Sequence, residues 1–342
     1  MDHHPDYPVP ELGEMCPYSD PPYGQFTDDH VFPEFLGGRK TIRVCKDCND
    51  KFGHSFEGNS SKQLKRLQVF VSHFGLDLSR NAATWPSAIE IDGILYDLKS
   101  GPDGTQYELS RPLIRRDEAG RIIGGTARSR AEAEQVAASL MRKGKAKEVG
   151  IEESRGTDLR DVKLCVDLSY NEDLYRFSAK LVGNMTVLMG RARDLKCSGI
   201  AEFLHGGIER LARIAVCDTS PIRALRPGLS HTVYIEFSPL LSQAIVILFG
   251  AMQLYVPLPC GEKGAYLGFL DPVSGEESFQ EVKFLGITPA PTLYTEADAR
   301  AQINYTNREL AKEARARGAK RPPDLTVTSV DLGAPTLKWQ VI

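Results

Sequence analysis

From Phe26 to Gly58 the chain is dense in histidine, cysteine, glycine and charge, and shows little hydrophobic periodicity. A module this small and this poor in core residues needs a bound metal to fold, and that requirement limits what the segment can be. Its cysteines supply the means. Cys45 and Cys48 form a Cys-x-x-Cys knuckle, a spacing typical of zinc sites in reduced proteins. Seven cysteines are an odd number and argue against a disulfide framework. Cys165, Cys197, Cys217 and Cys260 have no metal-spaced partner and are expected in the core.

The rest of the chain reads as an ordinary globular protein. Its 342 residues suggest two domains, and a charged fraction of 25% excludes disordered and collagen-like classes. The longest apolar run, 244–258, is broken by Gly250 and Gln253 and is too short to span a membrane, so no membrane partner is expected. The first six residues lack the basic start and apolar stretch of a signal peptide, and the cytoplasm is the expected compartment. A net charge of −3 conceals an uneven distribution, with 11 acidic against 5 basic residues in 1–60. The segment 300–321 carries seven basic and two acidic residues. Global charge thus excludes a general coating of polyanions, while local basic clusters suit a phosphate backbone.

Residues 1–24 are rich in Pro, Asp and Tyr and read as irregular chain. After the cysteine-bearing segment, Leu64, Leu67, Val71 and Phe74 recur at helical spacing, with Ser60 or Ser61 as N-cap and Gly75 as stop. Strands are expected at 88–98, 162–168, 232–237, 244–258 and 336–341, and helices at 129–143, 171–189, 199–216 and 296–318. The two kinds do not alternate strictly, which favours α+β over a doubly wound parallel sheet. The expected division is a small module at 1–60 followed by a larger mixed α+β domain at 61–342 that recognises substrate or regulates.

The chemistry concentrates between residues 27 and 53. Asp29 adjoins His30, the knuckle follows, and Asn49 comes directly after Cys48. Phe35-Leu-Gly-Gly38 supplies a tight bend and Thr41 to Val44 a short β-branched strand, so the order is strand, bend, strand, knuckle, helix. Phosphodiester hydrolysis needs an activated water and neutralised charge on the phosphate. A neutral imidazole suits the first task, and a hard divalent ion on oxygen ligands suits the second. The Asp29 carboxylate and the Asn49 amide oxygen would make a minimal open site. Neighbours on a strand point to opposite faces, so Asp29 and His30 converge only through a bend or twist.

Asp-His, Gly-Gly and Cys-x-x-Cys-Asn in this order resemble the HNH endonucleases, or ββα-metal nucleases. The form with Asn directly after the knuckle is similar to the recombination endonuclease VII type and to a group of bacterial HNH nucleases. The resemblance covers roughly residues 15–58. It implies an N-terminal ββα-metal module with His30 as general base, and Asp29 and Asn49 as ligands of catalytic Mg²⁺ or Mn²⁺. It also implies that Cys45 and Cys48 are half of a structural Zn²⁺ site. Two departures stand out. The family's upstream Cys-x-x-Cys reads Cys16-Pro-Tyr-Ser19 here, leaving three thiolates and a fourth ligand to be found at His3, His4 or Asp20, unless zinc is not bound at all. The middle Asn of the family motif is missing, with Lys40 or Thr41 in its place. That residue generally braces the loop of the base.

Arg39, Arg43 and His54 are candidate phosphate contacts, with a solvated surface as the alternative for each. Asn49 can also cap the helix that starts there. His73, His205 and His231 have no metal-spaced partners and read as structural. The expected function is a metal-dependent endonuclease acting on DNA. The alternatives are an RNA-cleaving effector with the same site, or a zinc-knuckle module that binds nucleic acid or a partner after its catalysis has lapsed.

Overall fold

The short β-branched stretch before the knuckle pairs as expected. Strand β1 (Phe26–His30) lies antiparallel to β2 (Thr41–Cys45), in unbroken register from Phe26 opposite Cys45 to His30 opposite Thr41. The computed structural model describes residues 16–19, 24–73, 84–91, 94–101, 104–145, 150–151, 165–208, 211–214, 219–225, 230–250, 252–259, 261–287, 308, 311–312, 315–316, 325–331 and 336–341. The strands are joined through a 3₁₀ turn at Glu34–Leu36 that Gly37 ends at φ +100°. At Gly38 a Cβ would lie 1.8 Å from the Phe32 carbonyl oxygen, so only glycine admits the return of the chain.

Helix α1 (Lys46–Phe52) starts at the knuckle, where the Cys45 sulfur accepts from the Cys48 amide at 3.4 Å. It runs through a wide π-type turn at Gly53–Glu57, kinked at Ser55 (φ −97°, ψ −110°), into α2 (Gly58–His73). The N-cap expected at Ser60 or Ser61 is not formed. Gly53 and Gly58 both keep right-handed helical dihedrals, so helical chain arrives at Ser60 already wound. The expected division at residue 60 falls inside α2.

Antiparallel β3 (Thr84–Ile91), β4 (Ile94–Gly101) and β5 (Gly104–Leu109) form a sheet that packs on α2, where one strand was expected at 88–98. A hairpin of β6 (Leu113–Arg116) and β7 (Ile122–Thr126) follows. Helix α3 (Arg130–Arg142) is capped by Ser129, and β8 (Cys165–Ser169) leads to α4 (Glu172–Leu188), capped by Asn171 through a 3.0 Å bond to the Leu174 amide. Both helices match the sequence expectation. Short helices α5 (Ala192–Lys196) and α6 (Ile200–His205) come next. The single helix expected over 199–216 is not formed, because Gly206 turns left-handed (φ +88°) and ends α6. Cys197, expected in the core, caps α5 and is exposed.

After the two-residue β9 (Arg213–Ile214) and α7 (Ser220–Leu225) come β10 (His231–Phe237), β11 (Ser242–Leu248), β12 (Met252–Leu258), β13 (Gly264–Leu270) and β14 (Glu277–Glu281). They form one antiparallel sheet in the order β14-β13-β10-β11-β12-β9. The run expected as one strand over 244–258 is a hairpin, turned where Phe249 and Gly250 both adopt positive φ. Strands β15 (Leu325–Asp331) and β16 (Thr336–Val341) pair with β8 in the order β15-β16-β8. Most of the helix expected at 296–318 lies outside the described residues. The fold class is α+β. No helix among the described residues is long and apolar enough to cross a membrane.

The core explains where the N-terminal module sits. Alternation along β10 sends Val233, Ile235 and Phe237 into the main core with Leu174, Phe177, Leu181 and Met185 of α4. Tyr234 faces the other side with Ile245, Leu267 and Ile222. Every residue of α4 from Phe177 to Leu188 is buried. A helix buried all round needs a second partner, and the module provides it: Phe35 packs on Phe177 at 5.8 Å, and Tyr18 lies against Gly183. Cys16, Tyr18, Phe32, Phe52 and Phe56 thus belong to the same core as the large sheet.

Two stability predictions follow from these packing constraints. Gly38→Ala should cost upward of about 3 kcal/mol in chemical denaturation, because the new methyl group meets backbone rather than a movable side chain. His231 is fully buried at the start of β10, where its Nδ1 accepts from the Phe249 amide at 3.3 Å and its ring stands edge-on to that of Phe249. Burial pushes the imidazole down from 6.5 to about 3, against a smaller opposing pull from Asp271. A group depressed in the folded state contributes its full stability above its unfolded value and loses it as pH falls. Between pH 7 and pH 4.5 the wild type should therefore lose about 2–3 kcal/mol more than His231→Gln, read from denaturation curves at each pH.

Candidate active site and metal centre

The sulfurs of Cys16, Cys45 and Cys48 all lie within 4.8 Å of one another, and all three residues are buried. The ribbon and helix bring them together: Cys45 ends β2, Cys48 lies in the first turn of α1, and Cys16 is held by the Cys45 amide at 3.3 Å. A hydrogen bond from Cys48 holds the Cys16 thiol well below the usual range, helped by that backbone amide and opposed by burial. Three buried thiols, two of whose sulfurs accept backbone amides, form a preformed sulfur cluster, which suits a soft tetrahedral ion such as zinc that binds them as thiolates. Ser19, at the position of the absent cysteine, places its hydroxyl 3.5 Å from the Cys45 sulfur. His3, His4 and Asp20 lie outside the described residues.

A histidine set aside in the sequence reading stands beside this cluster. His205, the last residue of α6, places Nε2 at 3.6 Å from the Cys48 sulfur and 3.1 Å from the Tyr18 carbonyl oxygen. Its Nδ1 lies 3.1 Å from the Lys51 ammonium, and Phe52 packs on the ring at 5.2 Å.

Asp29 lies deeper than expected. Its side chain points inward from β1 and meets α4, where the Lys180 ammonium stands 3.0 Å from Oδ1 and 2.9 Å from Oδ2. The Asn184 amide donates to Oδ2 at 3.2 Å and to the His30 carbonyl oxygen at 2.8 Å. Tyr18 donates its hydroxyl to Asn184 Oδ1, which turns the amide nitrogen toward Asp29 and His30. Burial, with the Asp29 charge beside it, raises the phenol well above its usual range and keeps it a donor. Lys180 also reaches Glu57 at 2.8 Å. Burial pushes the Glu57 carboxyl up, while Lys180 pulls it down and Asp29 raises it further.

His30 is half-buried at the end of the ribbon, and its ring makes no hydrogen bond among the described residues. Its ring lies within electrostatic reach of both Glu57 and Glu277. Glu277, at the start of β14, accepts from the Arg39 and Lys40 amides at 2.9 and 2.8 Å. The loop beside His30 is therefore held by Glu277 and Asn184 from outside the module. Asn49 lies half-buried on α1, and its amide makes no hydrogen bond among the described residues. Arg39 and Arg43 are exposed, with Arg43 facing Asp28 across the ribbon at 3.9 Å. His54 is exposed on the wide turn, with Nδ1 2.7 Å from the Asp50 carbonyl oxygen.

A hard divalent ion shared by Asp29 and Asn49 does not fit this arrangement. Both Asp29 oxygens already accept from protein donors, and the ion would stand beside a buried ammonium. Lys180→Met should destabilise the protein by about 3–5 kcal/mol in chemical denaturation, because it leaves Asp29 and Glu57 buried together without a counter-charge.

No curated protein and no solved structure matched the chain. Residues 16–65 match the family described as HNH endonuclease. That stretch holds the three clustered thiols, Asp29, His30, Asn49 and the ribbon and helix that carry them. By both motif and local structure, the N-terminal segment of this α+β protein resembles the HNH endonucleases.

Proposed function

We propose that the N-terminal module hydrolyses nucleic-acid phosphodiester bonds, with DNA as substrate and His30 as general base. The observation that carries this reading is the His30 ring, left without a hydrogen bond at the end of the ribbon within the stretch that matches the nuclease family. A neutral imidazole there takes a proton from water as the water oxygen attacks phosphorus. The cleaved 3′ or 5′ oxygen leaves and collects its proton from solvent. Arg39 and Arg43, exposed beside the bend, make positional contacts with phosphate, and His54 extends that surface along the wide turn. Residues 61–342 hold the module in place and supply substrate selection or regulation.

One observation favours a second reading, in which the module binds nucleic acid or a partner without cutting. The Asp29 carboxylate, expected to hold an ion, is committed to Lys180 and Asn184. Cleavage of plasmid DNA, single-stranded DNA and RNA, each with Mg²⁺, Mn²⁺ or EDTA, separates the readings. His30→Ala should lower the cleavage rate by about 10²–10⁴-fold while leaving the circular dichroism spectrum and zinc content unchanged. Cleavage that persists in this variant would remove His30 from the chemistry, and silence of the wild type on every substrate would favour the binding module.

A further inference from the structure

A tetrahedral ion on three thiols needs a fourth ligand, and the structure offers a candidate from 157 positions further along the chain. We propose that His205 completes a Cys16, Cys45, Cys48, His205 zinc site, so that the ion joins the nuclease-like module to α6 of the sheet-bearing part. The proposal rests on reading the thiol cluster as a zinc centre and is independent of whether the module cuts nucleic acid.

One edge of the site already has the ligation distance, while the ring lies outside the 4.8 Å group formed by the three sulfurs and has to close on Cys16 and Cys45 when the ion binds. With Zn–S at about 2.3 Å and Zn–N at about 2.0–2.1 Å, the S···N edge of a tetrahedral site is about 3.6 Å. The Cys48 sulfur and His205 Nε2 are 3.6 Å apart. The ring is also placed by more than that contact. Gly206 ends α6 in the left-handed conformation directly after His205, Phe52 covers one side of the imidazole, and Ile200, Phe203 and Leu204 anchor the helix in the core. Ser19 offers a neutral hydroxyl at the corresponding position of the upstream knuckle, a poorer zinc ligand than imidazole.

Ligation changes the tautomer. In the arrangement described, Nε2–H donates to the Tyr18 carbonyl oxygen and the Nδ1 lone pair accepts from the Lys51 ammonium. On zinc, the Nε2 lone pair is given to the ion and the proton resides on Nδ1, with Lys51, which is exposed, turned away from it. The remaining thiol protons pass to solvent as zinc binds. Three thiolates and a neutral imidazole leave the site with one net negative charge, and the nearby Lys51 partly neutralises it.

The test is zinc-edge X-ray absorption on the full-length protein, with zinc content measured alongside. The wild type should show three sulfurs and one nitrogen, with the outer-shell scattering of an imidazole ring. His205→Ala should lose the imidazole scattering and release zinc to a chelator at least about tenfold faster, since even a supporting residue outside the coordination sphere is worth 10–100-fold in affinity. His205→Cys should show four sulfurs and recover slow release. A wild-type spectrum with zinc on sulfur but no imidazole overturns the assignment, as does imidazole scattering that survives in His205→Ala. Absence of zinc from the wild type overturns the zinc reading itself, and neither result depends on a cleavage assay.

Discussion

A single buried ammonium organises the contact between the N-terminal module and α4. The Lys180 side chain is 2% exposed and is shared between Asp29 of the ribbon and Glu57 of the wide turn, with the face of Phe52 5.8 Å away. None of the three charges is tolerable alone in such surroundings: the carboxylates repel each other, and the ammonium has lost its water. Together they hold β1, the wide turn and α4 in one geometry. Asn184, one turn along the same helix face, extends the arrangement to the carbonyl of His30. The position of the proposed base is thereby tied to a helix 154 residues away in sequence.

This arrangement explains why α4 breaks the usual rule for a surface helix. Its apolar stripe of Leu174, Phe177, Leu181 and Met185 lies in the main core with the sheet, and its polar residues Lys180 and Asn184 are buried too, against the module. Charge on the second face gives directionality that apolar packing lacks. Tyr18 fixes the Asn184 amide, Asn184 and Lys180 fix Asp29, and the Cys16-Pro-Tyr-Ser segment carries both Tyr18 and a thiol of the metal cluster. The thiol cluster and the candidate active site therefore share a supporting element.

The parts of the structure that depend on neighbours in sequence were legible before the structure. The ribbon, the bend at Gly37 and Gly38, and the helices at α3 and α4 follow from local spacing, while the grouping of Cys16 with the knuckle came from the family resemblance. The failures have local causes as well: a left-handed Gly206 cut one helix short, and positive φ at Phe249 and Gly250 folded one apolar run into two strands. What spacing could not provide were partners from distant chain. A lysine in an amphipathic helix ordinarily marks the wet face, so Lys180 gave no sign of burial. A lone histidine before Gly-Gly gave no sign of three thiols beside it. Glu277 likewise looked like one more carboxylate in a loop-rich stretch.

The wide turn between α1 and α2 sets a rotational phase. In a regular α-helix each residue advances the side-chain direction by about 100°, so the faces of successive segments are locked to one another. The kink at Ser55 offsets that phase by a fixed amount. Cys48 and Phe52 can face the knuckle while Phe56 enters the core, Glu57 reaches Lys180, and Leu64 and Leu67 continue inward along α2. The connection between module and remainder thus works as a rigid gear rather than a tether. Inserting or deleting one residue there would turn α2, and the sheet packed upon it, by roughly a quarter of a revolution relative to the ribbon.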